Sequence, residues 1–390
     1  MTMAELYNPF AQVVRDDPFP IYRTLREELP VYHNPVRNLW ALSRYDDVLA
    51  ATRDWETFSH AWGVELDDTG DIIGPGDFLD TDPPLHDALR KVVRHRFAPK
   101  RVLEEEAEIR GKAVELLEPW AAGEEVELSR EVCWRLPVWL VSRVFGFPDE
   151  DAPLLIELGR EVLTREVEDG AIPDSAREAY TTLRAYLTAA AEARMRAPGS
   201  DLLSDIVQAT IDGRRLELEE ILGMCVLLFV GGTETTASFL ATSLVLLERR
   251  PDAWDGLRAR PEQIPAAIEE LLRFDPPFHK FSRTTTRPVE LHGVTIPAHA
   301  RVVLLYASAN RDERRFAAPD ELDFEREQLR HLAFGNGVHF CLGAPLARLE
   351  TRIALEEIAR RIGRFEITAP PERLPTHGTR GFATLRARRL

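Results

Sequence analysis

Four short stretches of this 390-residue sequence carry residue types and spacings that can do chemistry. The first is Phe334-Gly335-Asn336-Gly337-Val338-His339-Phe340-Cys341-Leu342-Gly343-Ala344-Pro345, which leads from an extended segment into a helix. Its glycines allow a tight loop whose backbone approaches a flat ligand. A cysteine just before a helix N-terminus has its thiolate stabilised by backbone N–H groups and the helix dipole. His339 is placed to meet an anionic group. Zinc on His339 and Cys341 is a rival, but a structural zinc needs four ligands, and no CxxC or HxxxH lies nearby.

The second stretch, Val230-Gly231-Gly232-Thr233-Glu234-Thr235-Thr236, sits inside a long helical pattern. Adjacent glycines cost a helix about 1 kcal/mol each relative to alanine. One reading is a kink in a buried helix. The other is a helix opened to a ligand, where a freed carbonyl holds water and Thr235 with Glu234 relays protons. The third, Asp82-Pro83-Pro84-Leu85-His86-Asp87-Ala88-Leu89-Arg90, puts His86 and Arg90 on one helix face. The fourth, Glu270-Leu271-Leu272-Arg273, places an acid and a guanidinium at i,i+3, in isolation an ordinary solvated pair.

The elements that must position these residues are mostly helical. The pattern predicts helices over 20–29, 85–97, 103–120, 217–247, 265–274 and 345–362, the last ended by Gly363. Leu346, Leu349, Ile353 and Ile358 give that last helix one apolar face. Strands are predicted at 39–43, 286–291, 294–297 and 301–306. Residues 58–82, rich in Gly, Asp and Pro, read as a long loop, and such loops are usually functional. With no repeat and no linker, residues 1–390 are expected to form one domain.

The run Phe334-Gly-x-Gly-x-His-x-Cys341-x-Gly343 resembles the haem-binding loop of the cytochromes P-450, a specific motif matched here at every defined position. The resemblance implies that Cys341 is the proximal thiolate and that His339 reaches a haem propionate. It also implies that Phe334 packs beside the sulfur, with Gly335 and Gly343 close to the cofactor. A thiolate pushes electron density onto the iron and favours O–O cleavage. Gly231-Gly232-x-Glu234-Thr235-Thr236 resembles the family's oxygen-activation motif. There Thr235 stabilises iron-bound dioxygen and Glu234 supports proton delivery. By resemblance Glu270 and Arg273 form a buried structural network with Arg326, from the meander that begins at Phe316. His86, Arg90 and Arg283 resemble further propionate donors.

The resemblance covers residues 18–385, with five motifs in order. It implies the cytochrome P-450 fold, mainly α with small β-sheets, and heme b (iron protoporphyrin IX). The implied reaction inserts one oxygen atom from O2 into a small apolar organic substrate, by hydroxylation, epoxidation or dealkylation. No flavin or iron–sulfur segment is visible, so a separate ferredoxin and ferredoxin reductase are expected to supply electrons. A peroxygenase typically lacks the Glu234–Thr235 pair, and a haem protein that only recruits a partner has no need of Thr235. Trp62, Val64, Phe78, Phe229, Phe278, Phe281 and Phe382 are expected to line an apolar, aromatic pocket.

Composition narrows the setting. A formal net charge of −16 argues against nonspecific nucleic-acid binding, which needs a basic surface. Cys133, Cys225 and Cys341 form no CxxC pair, which suits a reducing cytoplasm, and the first two read as core residues. No signal peptide is read at the N-terminus. The apolar run 221–230 is shorter than the about 20 residues that span a bilayer. A cytoplasmic monomer away from membranes is expected. Residues 90–101 hold no acid and six Lys or Arg. With Arg90 turned inward, Lys91, Arg94, Arg96, Lys100 and Arg101 are either a docking surface for an acidic ferredoxin or a solvated helix face.

Overall fold

The structure, a computed structural model, describes residues 6–66, 77–166, 170–327 and 330–390. Part of the long loop expected at 58–82 therefore lies outside the described residues. About 53% of the chain is helical, and the strands form small sheets, as expected for the P450 fold.

Five strands make the main sheet: β1 (Val31–Asn34), β2 (Leu39–Leu42), β3 (Phe58–Ser59), β4 (Phe281–Thr285) and β5 (Arg301–Leu304). Their order is β1-β2-β5-β4-β3. Strand β5 runs parallel to β2 and antiparallel to β4, with Val302 opposite Arg283. The sequence pattern placed a strand at 286–291. The sheet instead takes the preceding Phe-Ser-Arg-Thr-Thr, while Val289–Leu291 pairs with Val294–Ile296 in a separate hairpin. Polar side chains hid β4, yet Ser282 to Thr285 are all buried.

Five helices frame the site: α1 (Leu85–Val93), α2 (Arg135–Phe145), α3 (Leu218–Glu248), α4 (Ile264–Phe274) and α5 (Ala344–Arg361). Helix α3 starts at a capping box, in which Glu217 and Glu220 each accept the other's backbone N–H. It is 31 residues long, far longer than the apolar run 221–230. By length and composition alone it is apolar enough to cross a membrane, but 67% of its most apolar window is buried against the rest of the fold. The expected opening at Gly231-Gly232 is absent, because the helix runs through both glycines. The threonine hydroxyls bond back along the helix instead: Thr235 Oγ1 donates to the Gly231 carbonyl at 2.8 Å and Thr233 Oγ1 to Phe229 at 2.9 Å. Cys133 and Cys225 are buried in the core. On α5, Leu346, Leu349, Ile353 and Ile358 are buried as patterned, and Gly363 follows with φ +78°.

Helix α4 carries the brace. Glu270 and Arg273 are both fully buried. Arg273 Nε and Nη2 each donate to the Glu270 carboxylate at 2.7 Å. Arg273 also donates to the carbonyls of Asn310, Pro319 and Glu321. Arg326 Nε lies 3.2 Å from Glu270 Oε1, which also accepts from the Asp323 N–H. Asn310 accepts in turn from the Leu332 N–H at 2.6 Å, just before the cysteine loop.

The neighbouring Glu269 grips both sides of that loop. It accepts from Arg348 at 2.7 and 2.8 Å and lies 3.2 Å from His331 Nε2. Burial alone would raise its carboxyl, yet Arg348 and His331 hold it down at about 2. Removing one partner of a buried pair strands the other charge, so Arg273→Ala should cost about 3–5 kcal/mol of unfolding free energy in denaturant titrations. A loss under about 1 kcal/mol, typical of exposed pairs, would show that the brace is elsewhere.

Candidate functional site

The cysteine loop folds through left-handed glycines. Gly335 and Gly337 have φ of +66° and +74°. A Cβ on Gly337 would stand 2.5 Å from the Thr52 carbonyl, so the close approach of the loop to the end of the helix Tyr45–Arg53 requires glycine. The Asn336 side chain accepts from Gly337 N at 2.9 Å and from Arg53 Nε at 2.8 Å. Cys341 N–H donates to the Phe334 carbonyl at 3.0 Å, closing the loop just before α5. Burial pushes the Cys341 thiol up. The N–H groups of Gly343 and Ala344, with the Arg90 and Arg348 guanidiniums, oppose that shift by favouring thiolate.

Cys341 lines a cavity of about 330 Å³. The same cavity is lined by Gly231, Gly232, Glu234 and Thr235 of α3, by Phe334, Gly335, His339 and Gly343 of the loop, and by Arg90 and Arg283. Segments more than 200 residues apart are thus brought together. His86 stands one layer back, its ring centroid 4.1 Å from that of His339. His60, which no spacing in the sequence singled out, lies flat on His339, with centroids 3.4 Å apart and planes 8° from parallel. Burial, then the nearby His86, Arg283 and Arg90, push His339 down to about 2. His60 is also held well below its ordinary value, chiefly by burial.

This basic cluster contains buried nitrogens with no hydrogen-bond partner: His86 Nε2, His339 Nε2 and Arg283 Nε. Each unpaired buried donor or acceptor costs about 1–3 kcal/mol, so an acidic ligand group beside them is strongly favoured. A Cβ built on Gly231, Gly335 or Gly343 would meet no atom within 4 Å, so all three leave room for a flat ligand. The residues therefore fit a planar cofactor bearing carboxylates and bound through a thiolate.

Glu234 is buried, and its Oε1 accepts a hydrogen bond from the Thr379 hydroxyl in the C-terminal turn. Burial pushes its carboxyl up to about 7, against the lowering effects of Thr379 and Arg165. Gly381 lets this turn lie on α3, since a Cβ there would stand 2.2 Å from Ser238 Oγ. Glu350 of α5 also lines the cavity, and burial pushes it up to about 8. It is therefore mostly uncharged at neutral pH and adds little negative charge near the thiolate. Neither Thr379 nor Glu350 belonged to a recognisable motif.

Of the expected pocket residues, Phe78, Phe278 and Phe281 line the cavity, the last two stacked with centroids 4.6 Å apart. Four do not, and the reasons are local. Trp62 is 52% exposed and faces His299. Val64 is buried in a segment whose carbonyl accepts from Ser282. Phe229 precedes Gly231 by two residues, about 200° round the helix, and packs toward Gly159 in the core. Phe382 is buried under the Arg373 guanidinium, 4.3 Å from its ring centroid. Leu163, Leu227 and Leu228 line the cavity in their place.

The sequence pattern described as Cytochrome P450 matches residues 175–386. Erythromycin C-12 hydroxylase of Saccharopolyspora erythraea is 39% identical over 360 residues, covering 90% of this chain and 88% of that protein. Nocardicin C N-oxygenase of Nocardia uniformis is 38% identical, covering 94% of each chain. The structure of a P450 EryK mutant with erythromycin B superposes with a TM-score of 0.88 at 35% identity, covering 96% of this chain and 97% of the other. This chain belongs to the cytochrome P450 family, whose members are oxygen-incorporating oxidoreductases with a haem-thiolate cofactor.

The Thr379 contact has a measurable consequence. A hydrogen bond to the ionised carboxylate lowers its pKa. Thr379→Val should therefore move the Glu234 titration above about 7. The midpoint is readable from the carboxyl C=O stretch in pH-difference infrared spectra, with Glu234→Gln identifying the band. An unmoved midpoint would remove Thr379 from the acid's environment.

Proposed function

We propose that the chain is a single-domain (1–390) heme b monooxygenase that hydroxylates, epoxidises or dealkylates a small apolar substrate, with electrons from a separate ferredoxin and its reductase. The observation that carries this reading is the convergence on one cavity of Cys341, of Arg90, Arg283 and His339, the last two each with an unpaired buried nitrogen, and of the Glu234–Thr235 pair. Cys341 would ligate the iron. Arg90, Arg283 and His339 would meet the propionates, with His86 behind His339. Bound through a thiolate, haem supplies the activation of O2.

The protein's own residues then manage protons and access. Thr235 presents its hydroxyl at the cavity wall, held by the Gly231 carbonyl. Glu234, titrating at about 7, gives and regains a proton near neutral pH, where a general acid works best. The aromatic and leucine walls favour an apolar substrate. Two similar proteins are named as a hydroxylase and an N-oxygenase, which supports oxygen insertion as the chemistry.

The acid–alcohol pair also disfavours the peroxygenase and non-catalytic readings, since neither needs a proton relay at the cavity. With surrogate redox partners, Thr235→Ala should still bind substrate and consume NAD(P)H. It should release several-fold more peroxide per product than the unaltered enzyme. Unchanged coupling of electrons to product would reject the monooxygenase role assigned to Thr235.

The basic stretch narrows when its ion pairs are drawn. Arg90 turns inward and donates to the Phe340 carbonyl. Arg96 is neutralised by Asp205 at 2.6 Å, and Arg101 by Glu104 and Glu105 at 2.8 and 2.7 Å. These two are therefore withdrawn as docking cations. Lys91, Arg94 and Lys100 are exposed and form no ion pair among the described residues. They support docking of a small acidic ferredoxin beside the cysteine loop. Complementary charge mainly raises association rate, and salt screens it over about 8 Å at physiological ionic strength. Arg94→Glu with Lys100→Glu should slow ferredoxin-driven reduction at low salt, with the defect shrinking as salt rises and haem content unchanged. First-electron transfer unaffected at low salt would place the partner elsewhere.

A further inference from the structure

The C-terminal turn at residues 376–379 walls two cavities. One is the large cavity of the candidate active site, and the other is a pocket of about 40 Å³. The small pocket is lined by the turn and by Arg15, Tyr22, His279, Lys280, Arg373 and Arg380. Four of these side chains are cations. No carboxylate lines the pocket among the described residues.

The nearest acid with a described contact is Asp275, already engaged outside the pocket lining. It lies 2.9 Å from His279 Nε2 and 3.3 Å from Arg380 Nε. Asp16 also acts on Arg373, but it is exposed, and its backbone carbonyl is what accepts from Arg380. His279 is pushed down to about 4 by burial and is neutral at pH 7. Arg15 Nε and Nη1 and Arg373 Nη1 are buried without a hydrogen-bond partner. Burial and then the neighbouring Arg380 weaken the Arg373 cation. The pocket therefore combines unused donors with like charges that repel one another.

We propose that this pocket binds a small monovalent inorganic anion of about the size of chloride. Size sets the upper limit. A cavity needs roughly 10–15 Å³ of this kind of space to hold one water, so about 40 Å³ accommodates one chloride, bromide or nitrate. Charge sets the sign. Water satisfies the free N–H groups of Arg15 and Arg373 but leaves their positive charges facing each other beside Arg380, whereas an anion answers both.

The site also has a structural effect. Arg15 belongs to the short helix Gln12–Asp16, Lys280 immediately precedes β4, and Arg373 and Arg380 flank the turn. One bound anion cross-links three distant segments and braces the turn whose Thr379 holds Glu234.

The test uses the haem-loaded, full-length protein in sodium gluconate at fixed ionic strength. Gluconate is then replaced stepwise by chloride, bromide or nitrate. The thermal midpoint should rise saturably with each small anion, because an anion that binds only the folded state stabilises it. Arg15→Gln should weaken the apparent affinity about tenfold or more, the loss of a charged hydrogen bond worth roughly 1.5–3 kcal/mol. Crystals soaked in bromide should show an anomalous peak between Arg15 and Arg373. A midpoint indifferent to anion identity overturns the proposal, as does bromide found only on the outer surface. Should Arg15→Gln fail to fold, the bromide peak in the unaltered protein decides alone.

Discussion

Two adjacent glutamates on α4 hold the cysteine loop, and the rest of the site depends on that hold. Glu270 is buried with Arg273, and their remaining hydrogen-bonding capacity is spent on the chain that leads into the loop. Glu269 ties His331 before the cysteine and Arg348 after it. A buried ion pair is a poor source of net stability, because desolvation offsets much of its attraction. Its value here is geometric. It orders the irregular stretch between α4 and α5, which has little regular secondary structure of its own to fix its path.

Burial acts on five titratable groups around the large cavity, and in a consistent direction. It pushes Cys341, Glu234 and Glu350 toward their protonated forms and His60 and His339 toward their neutral ones. Each group is thus moved toward neutrality by the same dry surroundings. Specific partners then set how far each departs. Backbone N–H groups and two guanidiniums favour the thiolate at Cys341, while Thr379 and Arg165 restrain Glu234 near neutral pH. A protein with net charge −16 nonetheless places Arg90 and Arg283 on the cavity wall, where a negatively charged ligand is expected.

The C-terminal turn joins functions that lie far apart in the chain. It walls the large cavity, donates to Glu234 and encloses the small cationic pocket. Whatever displaces the turn acts on the cavity wall and on the acid together. That coupling follows from close packing: Gly381 lies so near Ser238 that the turn has little freedom to shift independently of α3.

The sequence by itself determined the features that live within one element. Spacing around Cys341, the Glu270–Arg273 turn of helix and the Gly-Gly-x-Glu-Thr-Thr run are local patterns, and helix periodicity places them without long-range information. The family resemblance followed from those patterns. Tertiary structure decided what depends on distances between segments. Thr379 reaches Glu234 across 145 residues, and His60 stacks on His339 across a separation nearly twice as long. Phe229 was misread because its helix face is set by packing. Arg96, a candidate docking cation by sequence, is paired with Asp205 only in the folded chain. The continuous helix at Gly231-Gly232 belongs to the same class. Local propensity favoured an opening there, and burial of α3 among its neighbours overrode a penalty of about 1 kcal/mol per glycine.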